Sequence, residues 1–154
     1  MRLLFGRKSD VDARIRHLSN KELVRWLNRK RLSADELKQL GDLFLEKGDT
    51  GKAVDYLYRA ADELSVTHLS KALAVYKKIL KINPSEIKAC EKIATILSGQ
   101  GLAAEQIKYL MIMAQFHESK NDIRETTAAY RRILDADPDN PAAVKFFSRG
   151  KVEG

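Results

Sequence analysis

Apolar residues recur along the chain at intervals of three and four, the spacing that places side chains on one face of an α-helix. The three prolines and eight glycines fall between these periodic segments. Alternating apolar and polar runs rich in β-branched residues, which would indicate strands, are missing from the sequence. The pattern therefore predicts an all-α protein of about nine helices joined by short turns.

Capping signals locate several of the predicted helix boundaries. A first helix is predicted from Ser9 to about Leu18, and Ser19-Asn20-Lys21-Glu22 has the capping-box pattern that begins a second. Ser33-Ala34-Asp35-Glu36 has the same pattern and begins a third helix, which ends near Gly48. Six more helices are predicted at about 50–64, 68–82, 85–98, 102–119 and 122–136, and from Asn140-Pro141 onward.

One pattern of apolar and small residues occurs more than once. It runs Leu37-x2-Leu40-Gly41-x2-Phe44-x8-Ala53-x3-Leu57-x2-Ala60, and again Leu110-x2-Met113-Ala114-x2-His117-x8-Thr126-x3-Tyr130-x2-Ile133-x4-Pro138. The pattern resembles the tetratricopeptide repeat (TPR), W-x2-L-G-x2-Y followed by A-x3-F-x2-A and then P. Small residues such as Gly41 let two helices approach closely, and large ones such as Phe44 fill the space opposite.

The resemblance covers about residues 34–148 and includes departures from the family's pattern. Leu37 and Cys90 stand where the family prefers tryptophan, and Gln106 and Thr126 stand where it prefers alanine. The resemblance implies a right-handed helical-hairpin solenoid, in which stacked helices line a continuous groove that holds peptides or partner helices.

A longer period is superimposed on this repeat. A shift of 53 residues aligns Tyr56 with Tyr109, and after one inserted residue a shift of 54 aligns Lys77-Lys78 with Arg131-Arg132. We therefore predict two three-helix units at 34–86 and 87–140 within an array spanning 34–150, a terminal helix at 141–150 and a tail at 151–154. The adjacent Phe146 and Phe147 are expected to be partly exposed, as a surface for further repeats or a second copy of the chain.

The positive charge is concentrated at one end. Residues 1–31 hold ten basic and three acidic residues, a net charge of +7 that equals the charge of the whole chain. Residues 1–33 are predicted to form a basic helical cap, a hairpin that packs Trp26 and Leu27 over the open end of the first unit. Its basic patch, which would attract an acidic partner, comprises Arg14, Lys21, Arg25 and Arg29. The alternative is an adaptor that docks onto nucleic acid or an anionic membrane surface through residues 14–31.

Candidate chemistry is sparse in this sequence. The single cysteine, Cys90, excludes an internal disulfide, and no apolar run is long enough to span a membrane, so we expect a cytoplasmic protein. The three histidines lie about fifty residues apart, without the spacing of a zinc site, and no phosphate-binding loop or catalytic constellation is present. We predict no enzyme activity and no cofactor.

The predicted binding residues project away from the packing positions of two helices. They are Lys38, Asp42 and Leu45 on the third predicted helix, and Lys88, Glu91 and Thr95 on the sixth. In the TPR proteins that bind chaperone tails, groove lysines, arginines and asparagines clamp a terminal carboxylate. Asp42 stands where an asparagine is expected and would repel that ligand. The sequence therefore predicts a protein-protein interaction module or scaffold that binds a partner protein or peptide without a carboxylate clamp.

Overall fold

The computed structural model describes residues 2–27 and 31–149, with side chains described within 9–26 and 31–149. All regular secondary structure in this part of the chain is α-helical, as predicted. The eight helices are α1 (Arg2–Leu27), α2 (Ala34–Lys47), α3 (Thr50–Thr67), α4 (Leu69–Ile82), α5 (Ile87–Gly99), α6 (Ala103–Ser119), α7 (Ile123–Ala136) and α8 (Pro141–Arg149).

The helices pack in neighbouring pairs within two compact units, Met1–Ile82 and Asn83–Gly154. In the first unit α1 packs on α2, α2 on α3, and α3 on α4. In the second unit α5 packs on α6, α6 on α7, and α7 on α8. We call α3 and α6 the middle helices of their units, because α3 packs on both α2 and α4, and α6 packs on both α5 and α7.

The N-terminal region differs from the prediction. Ser19 and Glu22 lie inside α1, so the first two predicted helices are one, and the described residues hold eight helices rather than nine. No glycine or proline interrupts residues 18–22, so nothing stops the helix there. Val11 and Ile15 are buried, and Leu18 packs beside them, so one apolar stripe docks α1 and favours its continuation.

The predicted packing of Trp26 is also wrong. Its side chain is 73% exposed, near the end of α1, and the nearby Leu23 and Val24 are more than half exposed. The side chain of Leu27, predicted to pack with Trp26, lies outside the described residues. The apolar contact of α1 with the unit is therefore made by Val11, Ile15 and Leu18 instead.

The capping signals at both ends of α2 are confirmed. The Ser33 side chain accepts from the backbone N–H of Glu36, and the Glu36 carboxylate accepts from the backbone N–H of Ser33 at 2.9 Å. At the other end Gly48 adopts φ 86°, a left-handed conformation that glycine enters without steric cost, and its N–H bonds to the carbonyl of Leu45 at 3.0 Å. These caps set the limits of the helix that carries half of the predicted site.

Close approach of α2 and α3 depends on the small residue predicted for it. A Cβ added at Gly41 would lie 2.7 Å from Cγ of Leu57 and 3.2 Å from the carbonyl oxygen of Ala53. Leu57 and Ala53 are themselves fully buried. Only a hydrogen at position 41 therefore fits this helix crossing.

The second unit has an equivalent core of small and large residues. Ala94 on α5 and Ala114 on α6 are fully buried. Tyr130 on α7 is buried and stacks on Phe146 of α8 with ring centroids 4.4 Å apart. Phe147, which meets Phe146 edge-on, is half-buried as Phe146 is, so both phenylalanines are partly exposed as the sequence predicts.

The Gly41 crossing yields a stability prediction. We expect Gly41→Ala to lower the free energy of unfolding by about 1–3 kcal/mol, because the overpacking at Leu57 outweighs the helix propensity that alanine gains. Chemical denaturation measures the change. Gly99→Ala is the matched control, since an added Cβ there meets nothing within 4 Å, and it should leave stability unchanged or raise it by up to about 1 kcal/mol. Equal effects of the two substitutions would contradict the packing argument.

Candidate functional site

The six predicted partner-binding residues occupy solvent-facing positions on α2 and α5. Lys38 and Leu45 are exposed on α2, and Lys88 and Thr95 are exposed on α5. Asp42 and Glu91, the acidic residues of the two sets, are half-buried. None of the six is part of the core, which agrees with their predicted projection away from the packing positions.

An ion pair links α2 to α4 in the first unit. Nζ of Lys78 on α4 lies 2.5 Å from Oδ1 of Asp42. Both helices pack on α3, so the pair joins the two helices that flank α3. By helical spacing Lys38 and Leu45 lie on the same side of α2 as Asp42. We call this surface, formed by Lys38, Asp42, Leu45 and Lys78, the α2–α4 face.

A matching ion pair links α5 to α7 in the second unit. Nη1 of Arg132 on α7 lies 2.6 Å from Oε2 of Glu91. The Thr95 hydroxyl donates to the carbonyl oxygen of Glu91 at 2.9 Å, one turn along α5. We call the surface formed by Lys88, Glu91, Thr95 and Arg132 the α5–α7 face. Each unit therefore has an acidic residue on the helix before its middle helix, paired with a basic residue on the helix after it.

Sequence reasoning missed the basic half of both pairs. Lys78 and Arg132 were aligned by the 54-residue shift, but only as evidence of a repeat. Their partners are not equivalent, because Glu91 aligns with Lys38 and Thr95 aligns with Asp42 at a shift of 53. Both units therefore have a basic residue at the same repeat position. The acidic residue that it binds is one helical turn earlier in the second unit than in the first. A repeated basic residue beside an apolar repeat position was the signal that could have located it.

A cavity of about 300 Å³ lies beside the α5–α7 face of the second unit. Its walls come from α5, α6 and α7 and from the end of α5 at Gly99. Thr95 and Arg132 belong both to this cavity and to the face. The remaining lining residues are Ser98, Gln106, Asp135 and Ala136.

Part of the predicted basic patch is neutralised within the first unit. The Glu36 carboxylate contacts Nζ of Lys21, and it accepts from Nη1 of Arg25 at 2.6 Å. The Lys21 ammonium, followed by the Ser33 backbone N–H, lowers the pKa of Glu36 to about 2. Arg14 is exposed and lines a cavity of about 490 Å³ between α1 and α2, whereas Arg29 lies outside the described residues. Lys21 and Arg25 therefore hold α1 against α2.

A second polar contact attaches α1 to α3. The Tyr56 hydroxyl donates to Oε2 of Glu22 at 3.0 Å, and Nη2 of Arg59 lies 2.5 Å from Oε1 of the same carboxylate. Tyr56 also stacks on Phe44, with ring centroids 5.4 Å apart. Burial, followed by the hydrogen bond to Glu22, raises the pKa of the Tyr56 hydroxyl, which therefore stays a donor at neutral pH.

The groups most often used in catalysis or metal binding are dispersed or buried in the described residues. Cys90 is fully buried, and burial raises the pKa of its thiol to about 11, so the thiol is protonated at neutral pH. Within residues 9–26 and 31–149, no three or more histidine, cysteine, aspartate or glutamate side chains form a cluster able to hold a metal ion. Within the part of the chain described here, no helix combines the length and apolar character needed to cross a bilayer.

Comparison with known proteins adds no family assignment. No protein-family model matches the chain. No curated protein matches it either.

The Glu36 contacts predict a pH-dependent contribution to stability. Because the pKa of Glu36 is lowered from 4.5 to about 2, its ion pairs stabilise the fold fully above pH 4.5, and the gain is lost as the pH falls toward 2. Glu36→Gln should cost about 1–2 kcal/mol at pH 7, an amount kept small by the nearby solvent. The difference in unfolding free energy between wild type and variant should narrow steadily below pH 4.5.

Denaturant titrations at several pH values, followed by circular dichroism, measure this difference. Glu46→Gln is the matched control, since Glu46 is exposed on the same helix and the substitution removes the same charge. A gap that stays constant between pH 7 and pH 3 would show that Glu36 does not hold α1 through its charge.

Proposed function

We propose that this protein is a non-catalytic interaction module or scaffold, built of TPR-like helical hairpins, that binds a partner protein or peptide. The observation that carries the proposal is the repeated arrangement of the two faces. In each unit the two helices that flank the middle helix pack on it and are joined by an ion pair, Asp42–Lys78 or Glu91–Arg132. Polar side chains held at fixed spacing on rigid helices are suited to recognition of another chain.

The chemistry of α4 favours an acidic partner segment at the first unit. This helix has four lysines and no acidic residue. Lys71 and Lys81 are exposed, and helical spacing places them on the side of α4 that carries Lys78. Lys38 adds a further positive charge from α2, so the α2–α4 face keeps a net positive charge after Asp42 is paired. Such a surface speeds encounter with an acidic chain and fixes its orientation.

The alternative function, docking of the basic head onto nucleic acid or an anionic membrane, has less support. Lys21 and Arg25 are bound to Glu36, so two of the four predicted patch residues already have an acidic partner. Trp26 and Leu23 are exposed on α1, but no basic and aromatic side chains alternate in a stacking platform in the described part of that helix. The head is proposed to supply charge steering toward an acidic partner through exposed residues such as Arg14.

The proposal also covers the contacts made by α8 and the cellular location of the protein. The partly exposed Phe146 and Phe147 on α8 are proposed to contact further repeats or a second copy of the chain, which light scattering would detect as a concentration-dependent mass. A cytoplasmic location is proposed from the single, buried Cys90, a residue that forms no disulfide within this chain.

The binding prediction is tested by charge reversal on the two faces. Lys38→Glu and Lys88→Glu should each reduce the amount of a crosslinked partner recovered from native extract about 3- to 10-fold, because the substituted carboxylate repels an acidic segment. Quantitative mass spectrometry of the recovered proteins measures the loss, and thermal unfolding confirms that each variant folds.

Lys108→Glu is the matched control for these variants. Lys108 is an exposed lysine on the middle helix α6 that belongs to neither face, and its reversal changes the net charge by the same amount. Partners whose recovery falls equally in all three variants respond to net charge alone. The proposal fails if every partner is recovered equally from wild type, Lys38→Glu and Lys88→Glu.

A further inference from the structure

The cavity beside the α5–α7 face contains a buried polar group that the packing does not use. Gln106 of α6 is 8% exposed and lines this cavity of about 300 Å³. Its side-chain amide has no hydrogen-bond partner in the described part of the chain, and its polar atoms are not fully enclosed, so the amide is accessible from the cavity. The sequence places this amide where the resembling family prefers alanine. This amide is therefore free to bind a group that enters the cavity.

The charges around Gln106 define what that group would be. The Arg132 guanidinium is bound to Glu91, so its charge is neutralised at the cavity wall. The Asp135 carboxylate, one turn along α7, has no ion pair among the described residues. The Ser98 hydroxyl likewise makes no side-chain hydrogen bond there. The cavity thus offers a carboxylate, an amide oxygen and hydroxyl oxygens as acceptors, with one uncompensated negative charge.

We propose that this cavity binds the cationic side chain of a lysine or arginine from a partner protein. The ammonium or guanidinium would donate to Asp135, to the amide oxygen of Gln106 and to Ser98. An anionic group would be repelled by Asp135, and an apolar group would leave Gln106 without a partner. This inference rests on the proposed function, since it names one contact that a bound partner makes in the second unit.

Nuclear magnetic resonance titration with small probes tests the cavity directly. The probes are N-acetyl-lysine amide and N-acetyl-arginine amide, and the matched neutral probe is N-acetyl-norleucine amide. We expect either cationic probe to shift the side-chain NH₂ signal of Gln106 and the backbone signals of Ser98 and Gly99. A shift by one cationic probe alone identifies the preferred side chain. Equal shifts with norleucine, or none with either cation, would overturn the inference.

Substitutions separate the cavity from general surface charge. Asp135→Asn should weaken binding of the cationic probe about 3- to 10-fold, whereas Asp139→Asn, an identical change at an exposed position outside the cavity lining, should leave it unchanged. Gln106→Ala should also weaken binding, and if that variant does not fold, the exposed Asp135 still decides the question. Equal weakening by Asp135→Asn and Asp139→Asn would contradict a built site.

The outcomes also distinguish this inference from the function on which it rests. If neither cation binds, but Lys38→Glu and Lys88→Glu still lose a partner, the cavity assignment fails and the interaction module stands. If the cations bind at Gln106 while no partner depends on either face, the cavity is confirmed and the interaction module is wrong.

Discussion

Packing of one middle helix against two neighbours is the constraint on which the rest of the molecule depends. In the first unit α3 must bury opposite sides at once, and it does so with small residues such as Ala53, Ala60 and Ala61 around the larger Leu57. Gly41 allows α2 to come close enough for this arrangement. The apolar sides of α2 and α4 both pack on α3. Their remaining sides carry polar groups, and two of these, Asp42 and Lys78, are close enough to form an ion pair. The candidate face is thus a consequence of the core.

The two units share this helix packing but differ in the charges on their surfaces. In the first unit α4 is uniformly basic among its charged residues, which leaves a positive face after one ion pair. In the second unit α7 carries Asp135 near Arg132, and the middle helix contributes Gln106 at a buried position. This similar packing with dissimilar charge is the basis on which we propose a partner that presents acidic groups to Lys38 and Lys88 and a cationic side chain to the cavity of the second unit.

The basic N-terminal helix shows how a strong local charge is used within a fold. Of its cationic residues, Lys21 and Arg25 are bound to Glu36, the same carboxylate that caps α2. One glutamate therefore both begins a helix and holds a second helix in place. The apolar contact at Val11 and Ile15 is narrow, so these ion pairs and the Glu22 contacts with Tyr56 and Arg59 contribute to the attachment of α1. The net positive charge counted along the sequence therefore exceeds the charge available to a partner, because some of the basic side chains are paired within the fold.

The sequence by itself determined the helical class, the boundaries of α2 to α8 to within a few residues, and the close approach at Gly41. These features depend on local spacing, capping and residue size, which are properties of neighbouring positions in the chain. It also located the exposed stripes of α2 and α5. Only the tertiary structure decided that α1 is continuous, that Trp26 is exposed, and that Lys78, Arg132, Gln106 and Asp135 belong to the two faces and the cavity. Those outcomes depend on which side chains meet across separate helices, and spacing along one helix carries no information about the partner opposite.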